Sequence, residues 1–508
     1  MPKSYILGID LGTSSLKATV LDVESGQTQT VSVDLTVSYP DSFSAEQDPR
    51  DWWNAFRAAV GKLPNIIGDL RQIRAVGLSG QMLGLVLLDR LGEAVRPCLI
   101  WCDQRSYTEV EELKEQPGID FLLEHTANTP LTGYWLPKIM WLRKHEPETL
   151  LKTYKILLPK DYLRLRLTGE YVAEVSDASL TLLFDVGKRC WSPEVLRLIN
   201  LDPALLPSVV ESPEVTGVVT TRASAETGLS AGIPVVGGGG DQSSGGIGLG
   251  TIRDGMISCV LGTSGVAMAL THEAKQDHLN RGLHSCCYSM PGTWFVMGCT
   301  LAAGGSYHWF HDALVPIHPG LTYDQLNRLA GETPPGSGGL LYLPYLIGER
   351  TPHSDPSARG AFFGLNYQHH AGHLARAVLE GVAFSQRESV EILESFDLRA
   401  EQMVLAGGGA RSPLWCQIMA DIVNRAVITT NIDDPASLGA GIIAAVGIGM
   451  FASFEEACRK FIEHRNSYSP RQEHRERYEV FYEKYRQLYQ TLKNFSKEFA
   501  PLQEKWGR

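Results

Sequence analysis

A chain of 508 residues exceeds what one hydrophobic core ordinarily holds and divides most naturally into two large domains. With 44% hydrophobic and 20% charged residues it has the composition of a soluble globular protein, and a formal net charge of -11 excludes a nucleic-acid platform, which needs a basic face. An anionic ligand would have to be held by local devices, such as backbone N–H groups at a loop or helix start. The nine cysteines fall at 98, 102, 190, 259, 286, 287, 299, 416 and 458 with no paired C-x-x-C arrangement, so zinc and redox motifs have no support. Met-Pro-Lys-Ser leads straight into a strand-like run, with no signal-peptide pattern and no apolar stretch long enough to span a bilayer. The expected compartment is the cytoplasm, with reduced thiols.

In chain order, Tyr5–Ile9 predicts a strand, Asp10–Ser15 a tight polar turn and Leu16–Leu21 a returning strand. Gly12-Thr13-Ser14 offers backbone N–H groups and hydroxyls to phosphate oxygens, and Asp10 could hold a hydrated Mg²⁺; an ordinary hairpin would carry the same residues. Residues 50–66 place Trp52, Trp53, Phe56 and Val60 at helical spacing, a face for the core. A strand over Ile73–Leu78 runs into Ser79-Gly80-Gln81-Met82-Leu83-Gly84, with a further strand over 85–88. Trp101, Asp103, Gln104 and Arg105 then gather at a strand end. A ring and polar groups together suit a polyol, although surface turns share this composition. From about 106 to 230 the pattern is mostly helical with proline-interrupted links and no catalytic cluster, and Ser176–Ser179 reads as a helix-capping turn.

Ile233–Val236 predicts a short buried strand ending at Gly237–Gly248, expected to be a glycine loop with Asp241 in its middle. Glycines without Cβ let a ligand or a backbone come close to that carboxylate, so a general base in a cleft and a solvated acid in a turn are both open. Gly255–Leu261, Gly262-Thr263-Ser264-Gly265 and Val266–Leu270 repeat the strand, turn, strand unit, which points to a duplicated nucleotide-handling fold. Met403–Ala406 enters Gly407-Gly408-Gly409, with Ser412 as N-cap and Pro413 at the first helical position, a seat for a nucleotide. Tyr478, Tyr482, Tyr485 and Tyr489 predict a packed C-terminal helix over 474–495. There is no Walker pattern, no protein-kinase signature, no G-x-G-x-x-G after the first strand and no complete G-x-S-x-G elbow.

Taken together, these elements make the chain resemble, over essentially its whole length, the FGGY family of carbohydrate kinases. The family's second signature is matched by Gly360–Leu365 and, after seven residues, His373–Gly381. The first signature region, Gly133–Lys144, keeps Lys138, Trp141 and Leu142 but carries Trp135 where a small residue or proline is usual. Leu78–Met82, Gly238–Asp241, Leu261–Val266, Leu343–His353 and Gly407–Ser412 match members acting on D-xylulose.

The resemblance implies an α/β fold of two ribonuclease H-like domains, as in the actin, hexokinase and Hsp70 ATPase superfamily, with a cleft between them. Residues 1–247 would form the sugar side with the base, and 248–508 the nucleotide side. It implies ATP-dependent phosphorylation of a ketopentose, D-xylulose foremost, with ATP and Mg²⁺ as cofactors, a sugar as partner, and neither nucleic acid nor membrane. The oligomeric state, a homodimer among the alternatives, is open. Carried over residue by residue, Asp241 is the catalytic base and Asp10 the metal-side acid. Thr13, Ser14, Gly262, Thr263, Gly304, Gly408, Gly409 and Ser412 lie on the nucleotide. Gln81, Met82, Leu83, Trp101, Asp103, Arg105 and Gln242 lie on the sugar.

Two departures bear on the sugar. Leu83 stands where histidine is usual after the Gln-Met pair, and a leucine cannot hydrogen-bond a hydroxyl. Gln242 stands where asparagine is usual after the base. Ribulose, glycerol, erythritol or a six-carbon ketose as acceptor, an actin or Hsp70-like ATPase without a sugar acceptor, and a catalytically silent sugar sensor are the competing readings.

Overall fold

A computed structural model describes residues 4–506. Its halves are built on two mixed sheets of seven strands each. In the first, β1 (Tyr5–Leu11), β2 (Ser15–Asp22) and β3 (Thr28–Asp34) form an antiparallel meander. On the other side of β1 lies β4 (Ile73–Gly80), parallel to it. Beyond β4 come β6 (Pro234–Val236) and, antiparallel to it at the edge, β5 (Val215–Val218). The two-residue β7 (Gly239–Gly240) pairs with the end of β4. β1 is buried along its whole length, which is why it reads as a nearly unbroken apolar run, whereas the polar β3 lies at the edge.

The second sheet repeats this plan. β8 (Met256–Leu261), β9 (Gly265–Thr271) and β11 (Trp294–Thr300) form the meander, with β10 (Leu283–Cys287) added at its edge. β12 (Gln402–Ala406) and β13 (Ala426–Thr430) follow in parallel beyond β8, and β14 (His464–Tyr468) closes antiparallel. β1 therefore corresponds to β8 and β4 to β12, and each Gly-Thr-Ser turn joins the first two strands of its sheet. The duplication expected from the recurring turn is present in the topology.

The helices refine several expectations. α1 (Pro49–Lys62) ends before the 66 expected, because Pro64 lacks an N–H and opens a separate short helix, Pro64–Ile67. The region from 106 to 230 is less uniformly helical than expected: α2 (Pro159–Thr168) and shorter helices alternate with short strands such as Val172–Glu174 and Ser208–Val210. Gly237–Gly248 is not a loop. After the link Gly237-Gly238 it comprises β7 and then α3 (Asp241–Gly248).

The physical reason is packing. α4 (Gly304–Leu314), α5 (Ala371–Glu394) and α6 (Pro413–Val423) belong to the second half, but α7 (Pro435–Gly447) crosses over and packs on β1 and β4 of the first sheet. A Cβ on Gly8 would stand 1.9 Å from the Ser437 carbonyl oxygen, so strand and helix touch backbone to backbone. α3 in turn meets the second sheet, where a Cβ on Gly246 would stand 2.2 Å from the Met268 side chain. The two exchanged helices cross in direct contact: a Cβ on Gly439 would stand 1.8 Å from the Ser244 carbonyl oxygen. Gly246 and Gly248 serve this close approach, and Gly237–Gly240 are likewise crowded by Ser212, Leu78, Ser289 and Met82, so all but Gly245 answer to packing and not to chain flexibility.

α8 (Gln472–Trp506) is longer than the expected 474–495, and its four predicted tyrosines are all buried in the second core. Ser412 caps α6 by accepting the Trp415 N–H at 3.3 Å, with Pro413 opening the helix as expected. All nine cysteines are free thiols. Among the described residues, no helix is long and apolar enough to cross a membrane.

Candidate active site

The first hairpin, the second hairpin and the N-termini of α3 and α7 converge on a cavity of about 230 Å³ lined by Asp10, Asp241, Gln242, Gly262, Ser264 and Asp434. Asp10, near the end of β1, is 7% exposed and accepts the Ser79 hydroxyl at 2.9 Å. Burial, and then the nearby Asp434 and Asp241 carboxylates, push it up to about 8. Asp241 is the first residue of α3, where unpaired N–H groups and the helix dipole favour negative charge. Burial pushes its carboxyl up to about 6, while the backbone and side-chain amides of Gln242 hold it down.

Asp434 was not singled out in the sequence. It sits at the N-cap of α7, accepts the Ser437 hydroxyl at 2.7 Å, and has the Lys17 ammonium 3.4 Å from its other oxygen. The Asp-Pro pair opening an apolar helix is the signal that could have found it. Three carboxylates line one cavity, with the half-exposed Lys17 beside Asp434. Their oxygens do not all gather within 4.8 Å of one another, so a hard divalent cation, which prefers such oxygen donors, would take its remaining ligands from phosphate or water.

The expected sugar-side residues divide into two groups. Trp101 is 42% exposed, and its indole N–H donates to the Thr13 hydroxyl at 2.9 Å. Gln81 is buried; its amide donates to Gln47 at 2.7 Å and its oxygen accepts the Thr13 hydroxyl at 3.4 Å. Met82 lies under the helix entry, so that a Cβ on Gly240 would stand 2.8 Å from its sulfur. Leu83 takes a left-handed backbone conformation, φ 72°, which costs a branched side chain conformational energy. That corner is held by the fully buried Lys138, whose ammonium donates to the carbonyls of Leu83, Leu99 and Ile100 at 3.0, 3.1 and 2.9 Å. Asp103 and Arg105 bond chiefly to each other and to their own scaffold. Asp103 is fully buried, accepting the Ala45 N–H at 2.8 Å and the Arg105 guanidinium at 2.9 Å, while Arg105 also donates to Glu46 at 2.7 Å. Composition identified this cluster, but only burial reveals that it braces the corner carrying Trp101.

The expected nucleotide residues are divided: the first turn, through Thr13, lies beside Trp101 and Gln81, while the second turn and the triple-glycine turn lie on the other sheet. Thr13 is half-buried and Ser14 exposed at the first turn; Gly262 is half-buried and Thr263 exposed at the second. The N–H groups of Ala303, Gly304 and Gly305 donate to Thr263, Gly262 and Thr263 carbonyls at 2.9, 2.8 and 3.0 Å. A Cβ on Gly304 would stand 2.4 Å from the Gly262 oxygen, so this junction requires glycine. Gly407, at φ 81°, brings the triple-glycine turn against the Leu261 carbonyl; Gly408 is exposed, while Gly409 and Ser412 are buried.

Beneath α3 lies a buried ionic cluster that sequence reading missed. Lys160 stands 2.8 Å from Asp161, 3.2 Å from Asp177 and 3.4 Å from Glu174, all fully buried. Arg164 donates to Asp161 at 2.6 Å and also to the Gly237 carbonyl. Glu174, not a serine, caps the short helix Val175–Ala178, accepting the Ser176 and Asp177 N–H groups at 2.8 Å. Ser176, expected to cap, instead accepts the Gly240 N–H at 3.1 Å, one residue before Asp241. Removing one member of such a cluster strands a buried charge, a loss of about 3–5 kcal/mol. The cluster thereby fixes the backbone from which Asp241 projects.

The chain matches the model of the N-terminal domain of the FGGY family of carbohydrate kinases over residues 5–248 and that of the C-terminal domain over 257–448. It is 37% identical over 506 residues to the xylulose kinase of Lactococcus lactis, covering 99% of each chain. It is 36% identical over 497 residues to that of Bacillus subtilis, covering 97% of this chain and 98% of the other. The crystal structure of a "xyloylose kinase" from Brucella ovis superposes with a TM-score of 0.90 at 35% identity, covering 97% of this chain and all of that one.

Proposed function

Since the chain belongs to the FGGY family of carbohydrate kinases, we propose that it transfers the γ-phosphoryl group of ATP to the 5-hydroxyl of D-xylulose. The observation that carries this reading is Asp241 at the start of α3, facing Asp10 in a cavity that also receives the second Gly-Thr-Ser turn. With its carboxyl near 6, Asp241 is mostly ionised at neutral pH yet basic enough to accept a hydroxyl proton. As the substrate oxygen attacks the γ-phosphorus, its proton passes to Asp241 and the bond from phosphorus to the bridging oxygen breaks toward ADP. The rest of the chemistry is positioning. The backbone of the Gly12–Ser14 and Gly262–Ser264 turns would orient phosphate oxygens, Gly408 and Gly409 would seat the nucleoside, and the Trp101 ring would cover C–H faces of the sugar. A divalent cation held by Asp10, with Asp434 beside it, would neutralise the phosphate charge.

Asp10 supplies a test that does not depend on turnover. In an unfolded chain its carboxyl ionises near 3.8, whereas in the native fold it holds its proton up to about 8. The native state therefore binds the proton more tightly, and stability falls as pH rises across that window. At pH 8 without divalent ions, Asp10→Asn is expected to melt at a higher temperature than the parent. Mg²⁺ should raise the melting temperature of the parent and leave the variant unmoved. Equal Mg²⁺ responses would remove Asp10 from the cation site.

A screen of D-xylulose, ribulose, glycerol and erythritol by ADP release tests the acceptor. With Leu83 unable to hydrogen-bond a hydroxyl, the preference for D-xylulose is expected at about 10–200-fold, the range that apolar contacts deliver. Equal rates on D-xylulose and ribulose would overturn the assignment.

A further inference from the structure

The segment Leu343–His353 has no part in the phosphoryl transfer proposed above, yet its turn runs alongside the end of β11, four residues before Gly304. Thr351 brackets Cys299, donating its N–H to the Cys299 carbonyl at 3.1 Å and accepting the Cys299 N–H on its hydroxyl at 2.9 Å. Its hydroxyl also donates to Gly282 at 2.8 Å. Glu349, 2% exposed, turns its carboxylate inward, and one oxygen accepts the N–H groups of Leu301 and Arg350, each at 2.8 Å. The turn is itself anchored. Glu349 and Asp355 exchange backbone hydrogen bonds at 2.9 and 2.8 Å, and Tyr489 of α8 donates to the Asp355 carboxylate at 2.9 Å. From the other side, Gln386 of α5 donates to the Thr300 hydroxyl at 2.8 Å.

From this geometry we propose that the 349–351 strap, through the Glu349 carboxylate, is a positioning element for the nucleotide side of the cleft. It sets the strand end from which Ala303, Gly304 and Gly305 dock on the second Gly-Thr-Ser turn. This rests on the kinase reading. Leu301 is the last residue tied from outside before those three N–H groups, so its placement decides where Gly262 and Thr263 stand. The second Glu349 oxygen is buried without a hydrogen-bond partner, and burial pushes the carboxyl up to about 8. A neutral amide of the same length should therefore reproduce what the side chain does, whereas a carboxylate one methylene shorter cannot reach Leu301.

The experiment compares Glu349→Gln with Glu349→Asp, measuring ADP binding by calorimetry and KM for ATP and for the sugar separately. Glu349→Asp is expected to weaken ADP binding and raise the ATP KM about tenfold, with the sugar KM within about twofold. Glu349→Gln should stay within about threefold of the parent throughout. If the Asp variant does not fold by circular dichroism, Thr351→Val, which loses the hydroxyl's bonds to Cys299 and Gly282, replaces it with the same expected split. The inference is overturned if the short variant keeps its ATP KM, if both KM values rise together, or if Gln is as impaired as Asp. A parent protein that binds no ADP removes the kinase reading and the inference together. A parent that binds ADP, matched by the Asp variant, removes the inference alone.

Discussion

Asp241→Asn should lower kcat by about 10²–10⁴-fold, the contribution of general-base assistance, while KM for sugar and ATP stay within a few-fold. Asparagine keeps the size and the helix-start position of the native residue and removes only the ability to take a proton. The pH profile carries the same assignment independently. Because the base must be ionised, kcat/KM of the parent should fall as pH drops below about 6, where burial has raised Asp241. The variant should lose that acid limb. Steady-state assays between pH 5 and 8 check both statements. A variant retaining more than about a tenth of parental kcat would move the base elsewhere.

Gly439→Ala should be at least as damaging, although no substrate approaches it. In an exposed helix the change would gain about 1 kcal/mol from helix propensity. Here the added Cβ would lie 1.8 Å from the Ser244 carbonyl oxygen, a backbone atom of α3 that cannot yield without moving the whole helix. The clash decides the sign, and the expected loss exceeds about 4 kcal/mol. Thermal melting of the variant beside Gly449→Ala checks this, although Gly449, at φ 72°, would itself register some backbone strain while meeting nothing within 4 Å. Equal melting temperatures would mean that the helix crossing is looser than its contacts indicate.

Much of this architecture was readable from local pattern. Apolar runs gave β1, β4 and β8, the Ser412-Pro413 pair gave the start of α6, and tyrosine spacing gave α8, because each signal lies within one element. Signals that depend on distant partners were not readable. Lys160 and Asp177 look like ordinary polar residues until the fold buries both against Glu174. Asp434 lies far along the chain from Asp10 and joins it only because α7 crosses to the first sheet. The glycines of 237–248 were ambiguous in kind, since flexibility and close packing ask for the same residue. Asp103 and Arg105 show the converse: a polar cluster can be composed for a ligand and still bond chiefly to its own scaffold.

The crossing of α7 also sets a timetable for synthesis on the ribosome. β1 and β4 present bare backbone at Gly8 and Gly77 to a helix that begins at Pro435. The helix emerges roughly 400 residues after β1, about 20–80 s later at about 5–20 residues/s. Until then the first sheet has one apolar face with nothing to cover it, a template for wrong pairings. The nascent N-terminal half should accordingly be a chaperone client for most of its translation, and a chain halted before residue 435 should stay protease-sensitive even though every strand of its first sheet has been made.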